Sequence, residues 1–342
     1  MKTAATSSPS ASQATVDVPE ESGERATFGR RAVRWAIAHA LVVMLVLFAV
    51  VFAILSPAFG SLSNANIVLL AASAPALLAL GQTFVILTGG IDLSVGSTVG
   101  LSGVVAALLA QSTGGNSAVA IIAGIGIGGA VGVLNGLLVV ARIPPFVATL
   151  GTMTAALGLA EVLSQGSPVS NLAGGFLAIS TSSPAGIPLP ILIMVACFAV
   201  LWFVAARTRY GMHVYAVGGN PLAARIAGVR ISQVTFSVYL LGGLLAGLAG
   251  VILASRATAG IATTGSGYEL DAIAAAVIGG VSLAGGRGSL GGTAVGVLII
   301  AMLSNGMDIV NVDPFSQQII TGALIVSAVL MNVLGTRREE AA

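Results

Sequence analysis

Few side chains in this 342-residue chain could act as nucleophiles, general acids or metal ligands. Lys2 is the only lysine, so the sequence contains neither the Gly-Lys-Ser/Thr of a phosphate-binding loop nor the strand lysine of a kinase. His39 and His213 are far apart, and the single cysteine, Cys197, allows neither an internal disulfide nor a cysteine zinc cage. The sequence therefore predicts that the chain is not an enzyme and has no catalytic residue, metal or cofactor of its own.

A second group of candidates consists of amide, hydroxyl and carboxyl side chains that interrupt long apolar stretches. Its members are Gln82, Asp92, Asn135, Thr149, Thr152, Glu269 and Asn305. Polar side chains in such surroundings often mark a path for a polar solute or an ion. The alternative, which stays open for each of them, is a hydrogen bond to the backbone or to a neighbouring helix.

Two of these carboxylates have a more specific interpretation. Asp92 precedes Ser94 and a Gly/Ser-rich stretch, where its charge could cap the next helix at the positive end of the helix dipole. Contact with a ligand is the alternative for Asp92. Glu269 has Arg256 as a candidate partner, which indicates a gate, a contact with a charge on another protein, or an ordinary surface ion pair.

A long polar segment, 207–231, separates two apolar stretches and contains the sequence of one complete short helix. Asn220 is a favourable N-cap, Pro221 suits the first helical position, and Gly228 suits a left-handed residue after the helix. The predicted helix consists of Asn220, Pro221, Leu222, Ala223, Ala224, Arg225, Ile226, Ala227 and Gly228. Its narrow apolar face either rests on a lipid surface or inserts into a groove on a partner protein.

The composition defines the elements that must hold these residues. Hydrophobic residues make up 56% of the chain and charged residues only 8%, whereas a soluble domain carries about a quarter charged residues. The charged residues are too few to form the polar surface of a soluble protein with this much apolar sequence. Lipid must therefore be the solvent for most of the surface. The sequence predicts an all-α integral membrane protein with about ten transmembrane helices, some of them short or broken.

The predicted spans are apolar stretches of about membrane-crossing length. They are 35–55, 65–87, 94–110, 118–140, 146–164, 188–206, 232–254, 270–285, 289–307 and 315–334. If the N-terminus is cytoplasmic, every basic residue except Arg256 falls in a cytoplasmic segment, as the positive-inside rule requires. We therefore expect cytoplasmic N- and C-termini, with a disordered tail at 1–34, a transmembrane domain at 35–334 and a short tail at 335–342.

Glycines repeat at every fourth residue in three of the spans. These faces comprise Gly124, Gly128, Gly132 and Gly136, then Gly243 and Gly247, and then Gly288, Gly292 and Gly296. Small residues at this spacing let helix backbones approach closely, either within the chain, which is the default, or at a subunit interface. The turns Leu87–Gly90 and Leu283–Gly286 also echo each other, but with 45 glycines in the chain a chance match is the simpler explanation.

Several stretches of the chain match the pattern of a known family. They are Val85–Gly96, Phe146–Leu150, Gly166–Val169, Tyr215–Gly228 and Gly265–Gly288. Over residues 40–334 the chain resembles the permease subunits of bacterial ABC importers for ribose, xylose, arabinose, galactose and related sugars. These subunits belong to the branched-chain amino acid/monosaccharide permease group.

The resemblance implies a permease of the bacterial inner (cell) membrane that moves a small neutral sugar or polyol by alternating access. The partners that it implies are a separate ABC ATPase that binds ATP and Mg, a periplasmic or lipid-anchored solute-binding protein, a second permease copy or paralogue, and membrane lipid, but no nucleic acid. It also identifies 220–228 as the helix that couples to the ATPase. The choice of sugar, and of homodimer or heterodimer, stays open.

The main alternative is a self-sufficient secondary sugar transporter or facilitator. Such a protein needs an internal coupling-ion site, commonly with buried carboxylates or a broken helix, whereas most carboxylates here map to span ends or loops. An intramembrane enzyme is the other alternative, but the sequence has no Gly-x-Ser-x-Gly and no zinc ligand set.

Overall fold

The computed structural model describes residues 40–112 and 116–340, and every element longer than an isolated bridge within them is helical. The α-helices are α1 (Ala40–Leu55), α2 (Leu62–Leu87), α3 (Val95–Ser112), α4 (Ser117–Val140), α5 (Pro145–Ser164), α6 (Gly174–Thr181), α7 (Leu189–Arg207), α8 (Arg209–Gly219), α9 (Pro221–Ile226), α10 (Ile231–Arg256), α11 (Tyr268–Ile278), α12 (Leu290–Ile309) and α13 (Pro314–Glu340). A short 3-10 turn at Pro184–Gly186 precedes α7. The all-α prediction is confirmed for the described part of the chain.

The helices have the length and surface of a membrane protein. Six of those in the described residues, α2, α4, α5, α7, α10 and α12, are long and apolar enough to cross a bilayer, while α1 and α3 are apolar but shorter. Large apolar side chains on the outside of the bundle are exposed, among them Ile122, Val162 and Phe203. Because such a surface is stable only in an apolar solvent, the chain is membrane-integral.

The predicted spans agree with the observed helices in most places. The stretches 65–87, 118–140 and 289–307 correspond to α2, α4 and α12 within a few residues. Helices α6 and α8, which were not predicted, lie in the connecting segments. The predicted tail at 1–34 lies outside the described residues.

The prediction of a span over 270–285 is wrong in its length. Helix α11 has 11 residues and ends at Ile278, and residues 279–289 form turns and irregular backbone. A helix of this size is about 16 Å long, roughly half of the hydrocarbon thickness of a bilayer. Helix α11 therefore cannot cross the membrane by itself.

Glycine faces bring the central helices into backbone contact. Helix α10 packs against α2, α3 and α4, and Gly128 of α4 lies directly against the backbone of Gly243 and Gly247 of α10. In α12, Gly296 lies against the carbonyl of Ala275 in α11. These repeated glycine faces pack within one chain, so the internal-packing interpretation is confirmed for them.

Helices α3 and α11 both begin in the interior of the bundle. The backbone of Val99, one turn into α3, lies against Gly250, which is about 28 Å along α10 from its start. Gly265, just before α11, lies against Gly96, so α11 begins at the same level as α3. From this level α3 runs away from the bundle end that carries α8 and α9, here called the loop face, whereas α11 runs toward it.

The α4–α10 contact leads to a stability prediction. In Gly128→Ala the added methyl would overlap the backbone of α10, so we expect a loss of about 1–3 kcal/mol and a lower Tm in detergent. Gly126→Ala is the matched control, because a Cβ at Gly126 meets no atom within 4 Å and alanine favours the helix. Equal thermal unfolding of the two variants would contradict this packing.

Candidate functional site

The short helix α9 has a defined cap at each end. Asn220 Oδ1 accepts a hydrogen bond from the Ala223 N–H (2.9 Å), and Pro221 occupies the first turn. At the other end Gly228 has a φ of +84° and its N–H donates to the Arg225 carbonyl (3.0 Å), while the Val229 N–H donates to Ala224 (2.9 Å). These bonds give α9 defined ends although the helix has only 6 residues.

Helix α9 presents one apolar face to the outside. Leu222 is 69% exposed and Ile226 is 81% exposed, and their spacing of four residues places them on one face of the helix. Ala224 is buried on the opposite side, where α9 contacts the rest of the chain. A capped helix that presents two large apolar side chains has the form of a groove-binding element.

Five of the polar residues predicted as site candidates come together around the irregular segment between α2 and α3. They are Gln82, Asp92, Asn135, Thr149 and Thr152, and all five side chains are buried within the bundle. A path residue must be reachable by a solute, whereas these side chains are enclosed by packed helices. In this conformation they act on the protein's own backbone.

Asp92 lies at the centre of this group. Its Oδ1 accepts hydrogen bonds from the Ser94 N–H (2.9 Å) and the Ser94 hydroxyl (2.6 Å), just before α3 begins. The Asn135 amide donates to Ser94 Oγ (2.7 Å) and more weakly to Asp92 Oδ1 (3.4 Å). The Thr152 hydroxyl in turn donates to Asn135 Oδ1 (2.6 Å). Asp92 thus makes the bonds expected of a helix-initiating carboxylate.

The remaining members of the group satisfy the backbone of the same segment. With its amide oriented so that both atoms find partners, Gln82 donates to the Asp92 carbonyl (3.2 Å) and accepts from the Asp92 N–H (3.1 Å). The Ile91 carbonyl accepts long hydrogen bonds from the hydroxyls of Thr149 and Tyr239 (3.4 Å each). Buried non-helical backbone is tolerated in a membrane only when such partners are present.

Glu269 and Asn305 lie apart from this group. Asn305 Oδ1 accepts from the Asn64 amide (2.9 Å), and Glu269 Oε1 accepts from the Gly267 N–H (3.2 Å) at the start of α11. In the described structure Glu269 and Arg256 form no ion pair, because Arg256 instead donates from Nη1 to the Leu70 carbonyl (3.0 Å).

A partly polar cavity of about 230 Å³ lies between α2, α11 and α12. Its polar lining consists of Tyr268, Asp271, Ser304, Asn305 and Asp308. Because α12 runs from the loop face to the opposite face, Asp308 and Asn305 lie toward the opposite face and Asp271 lies deeper. Of these residues only Asn305 was among the predicted site residues. Ser304 and Asp308 could have been found from their spacing of one helical turn.

Tyr215 and Asp313 are titratable groups outside the spans whose pKa values are shifted. Burial raises the pKa of the Tyr215 phenol in α8, so this hydroxyl stays protonated and donates to the Gly288 carbonyl (3.0 Å). Hydrogen bonds from Ser316 hold the pKa of the exposed Asp313 carboxyl below its usual range. Asp313 therefore serves as a charged cap for α13.

Metal chemistry has no candidate centre in residues 40–112 and 116–340. No group of three or more His, Cys, Asp and Glu side chains there is close enough to hold a metal ion. Cys197 is half-buried in α7 and packs against the apolar core.

Comparison with known proteins supports a transport role. Residues 64–329 match the family described as branched-chain amino acid transport system / permease component. The ribose import permease protein RbsC of Escherichia coli (strain K12) is 41% identical over 300 residues, which cover 85% of this chain and 92% of that protein. RbsC of Bacillus subtilis (strain 168) is 43% identical over 291 residues, covering 84% and 90%. The D-allose transport system permease protein AlsC of Escherichia coli (strain K12) is 36% identical over 293 residues, covering 83% and 90%. No solved structure matches the chain.

The fold and these matches together define a multi-pass transport permease of the cell membrane, which is not an enzyme. More specifically, the chain belongs to the family of branched-chain amino acid transport system permease components.

The Asp92 group leads to a second prediction. Asp92→Ala would leave the N–H and the hydroxyl of Ser94 without their acceptor, at a cost of about 1–3 kcal/mol for each buried unsatisfied group. We expect a lower Tm in detergent, and a smaller loss for Asp92→Asn, which retains one carbonyl oxygen for Ser94. Unchanged unfolding of Asp92→Ala would show that Asp92 does not hold this segment.

Proposed function

We propose that the chain is the transmembrane subunit of an ATP-binding-cassette importer and that it moves a small neutral sugar or polyol into the cell. The observation that carries the proposal is α9, whose exposed apolar face and defined caps suit docking into a groove on a separate ATPase. The lipid-surface alternative is less suitable, because two apolar side chains bury little area in a bilayer.

The sugar class is supported by the relatives and by the chemistry of the cavity. The matching proteins are named for the transport of ribose, D-allose and L-arabinose. The cavity between α2, α11 and α12 offers hydroxyl, amide and carboxyl groups, which are suitable hydrogen-bonding partners for a polyol. We propose that this cavity is the outer half of the translocation path, with Asn305 and Asp271 among its contacts.

The proposed topology follows from the charges at the loop face. Arg207, Arg209, Arg225 and Arg230 all lie in or beside α8 and α9, and by the positive-inside rule these charges support a cytoplasmic location for this face. Ten membrane-inserted helices would then leave both termini inside, with tails at 1–34 and 335–342 flanking the permease domain at 35–334. In this arrangement helix α11 covers only part of one crossing, and the irregular segment 257–267 that precedes it covers the rest.

The proposed mechanism is alternating access powered by the partner. ATP and Mg would bind to the ATPase alone, since this chain has a single lysine and no phosphate-binding loop. A solute-binding protein would deliver sugar to the opposite face, and a second permease copy or paralogue would complete the channel. Coupling requires that ATP and sugar favour different conformations of the assembly.

A secondary transporter is the second candidate, and the buried carboxylate of Asp92 is the observation in its favour. Against it, the hydrogen bonds from Ser94 and Asn135 already engage this carboxylate. Uptake by vesicles that contain only this chain, without ATP or an ATPase, would favour the secondary transporter and reject our proposal.

The docking role of α9 can be tested by changing its charge. In Arg225→Glu/Ile226→Glu, acidic groups replace an exposed cation and an exposed apolar side chain, so we expect loss of ATPase co-purification with normal membrane insertion. Met212→Glu is the control, because Met212 is also exposed (62%) on the neighbouring α8 but lies outside 220–228. Retained ATPase association in the α9 variant would reject the docking role.

The path can be tested by filling the cavity. Ala301 lines the polar cavity, so we expect Ala301→Phe to lower sugar transport at least about tenfold while ATPase assembly persists. Ala294, on the same helix, lines an apolar cleft beside Met194 and Phe198, and Ala294→Phe should transport normally. Equal transport by both variants would remove this cavity from the path. The assay uses the complex with its partner ATPase and solute-binding protein, with D-ribose, D-allose and L-arabinose as probes.

A further inference from the structure

The two turns that echo each other in sequence lie against each other in space. The Gly286 N–H donates to the Leu87 carbonyl (2.9 Å), and a Cβ on Gly285 would lie 3.0 Å from the Gly89 nitrogen. Although a Leu-x-Gly-Gly match can arise by chance in a chain with 45 glycines, the fold joins the end of α2 to the turns after α11 through these residues.

The C-terminal end of α8 is wedged between the same two turns. Gly218 packs against the Leu87 carbonyl and the Gly286 N–H so closely that a Cβ would overlap backbone atoms of both. One turn earlier on α8, the Tyr215 hydroxyl donates to the Gly288 carbonyl (3.0 Å). We call the residues Leu87–Gly90, Gly218 and Leu283–Gly286 the glycine junction.

The glycine junction is connected to α9 by a stiff link. Asn220 is the only residue between α8 and α9. Its N–H donates to the Ala216 carbonyl (3.1 Å) in α8, while its side chain caps α9. A force on α9 therefore reaches Gly218 through hydrogen-bonded backbone, without a flexible linker.

The two turns of the junction are connected along the chain to α3 and α11, the two helices that begin in the interior of the bundle. The turn Leu87–Gly90 continues into Ile91, Asp92 and the start of α3. The turn Leu283–Gly286 follows α11, which begins beside Gly96 of α3. Movement of α8 against these turns would reach α3 and α11 together, and α11 lines the polar cavity through Tyr268 and Asp271.

We propose that the glycine junction transmits the movement of α9 to α3 and α11, with Gly218 and Tyr215 as the positioning residues. This inference rests on the proposed function, since it assigns to these contacts the coupling between ATP hydrolysis and the path. Glycine is required at position 218 because any larger side chain would separate the backbone of α8 from the backbone of the two turns. Direct backbone contact lets a shift of α8 displace the turns by the same amount.

Two matched pairs of variants on α8 test the junction. Tyr215→Phe removes the bond to Gly288, whereas Tyr210→Phe removes a bond of similar length (2.8 Å) to Ser237 of α10. Gly218→Ala places a methyl into the turns, whereas the methyl of Gly219→Ala would meet only the Gly286 Cα, at 3.9 Å.

The readout is the amount of sugar moved per ATP hydrolysed by the purified, reconstituted complex with its binding protein. This ratio is measured on assembled complex, so a misfolded fraction of the permease does not enter it. We expect a fall of about fivefold for Tyr215→Phe, the shift that one ordinary hydrogen bond gives, and of about tenfold or more for Gly218→Ala. ATPase association and ATP hydrolysis should persist in both, and Tyr210→Phe and Gly219→Ala should keep the wild-type ratio.

Several results would overturn the inference. A wild-type ratio in Tyr215→Phe and Gly218→Ala, or an equal fall in the two control variants, would show that the junction does not transmit movement. If Gly218→Ala does not assemble, Tyr215→Phe decides the question alone. A wild-type chain that transports without the ATPase would overturn the proposed function itself, and the role of the junction with it.

Discussion

The structure depends on the requirement that backbone N–H and C=O groups inside a bilayer find partners within the protein. The chain leaves helical geometry inside the bundle before α3 and again before α11. At each of these places the backbone N–H and C=O groups need hydrogen-bond partners outside a helix. Before α3, the backbone of Ile91 and Asp92 is satisfied by the side chains of Gln82, Thr149 and Tyr239. Before α11, Gly260 exchanges two backbone hydrogen bonds of 2.9 Å with Val169. The buried polar side chains before α3 are therefore required as hydrogen-bond partners of this backbone.

Close backbone packing makes room for the two helices that begin inside. Gly96 and Gly100 of α3 lie against the segment that descends to α11, where any Cβ would overlap its backbone. Gly128 does the same for α4 against α10. Small residues at these contacts replace the hydrophobic driving force that is missing between helices in lipid, because they increase van der Waals contact. The high glycine content therefore serves packing inside one subunit.

The parts that we propose to act in transport lie at the two ends of this packed unit. The loop face carries the capped helix α9, and the cavity that Asn305 and Asp271 line lies toward the opposite face. We propose that the irregular segments between them carry a change from one half to the other. A permease with this arrangement needs no catalytic group of its own, which agrees with the near absence of lysine, histidine and cysteine.

The sequence by itself determined the elements that follow from local or one-dimensional properties. Hydropathy located nearly every membrane helix, because lipid demands about 20 apolar residues for each crossing. The caps of α9 were predicted residue by residue, because Asn220, Pro221 and Gly228 act on their own backbone. Only the tertiary structure decided that α11 ends at Ile278, that Asp92 joins Asn135 and Thr152, and that Gly218 meets both Leu-x-Gly-Gly turns. These contacts join residues far apart in the chain, and their partners are fixed by three-dimensional packing that no local pattern encodes.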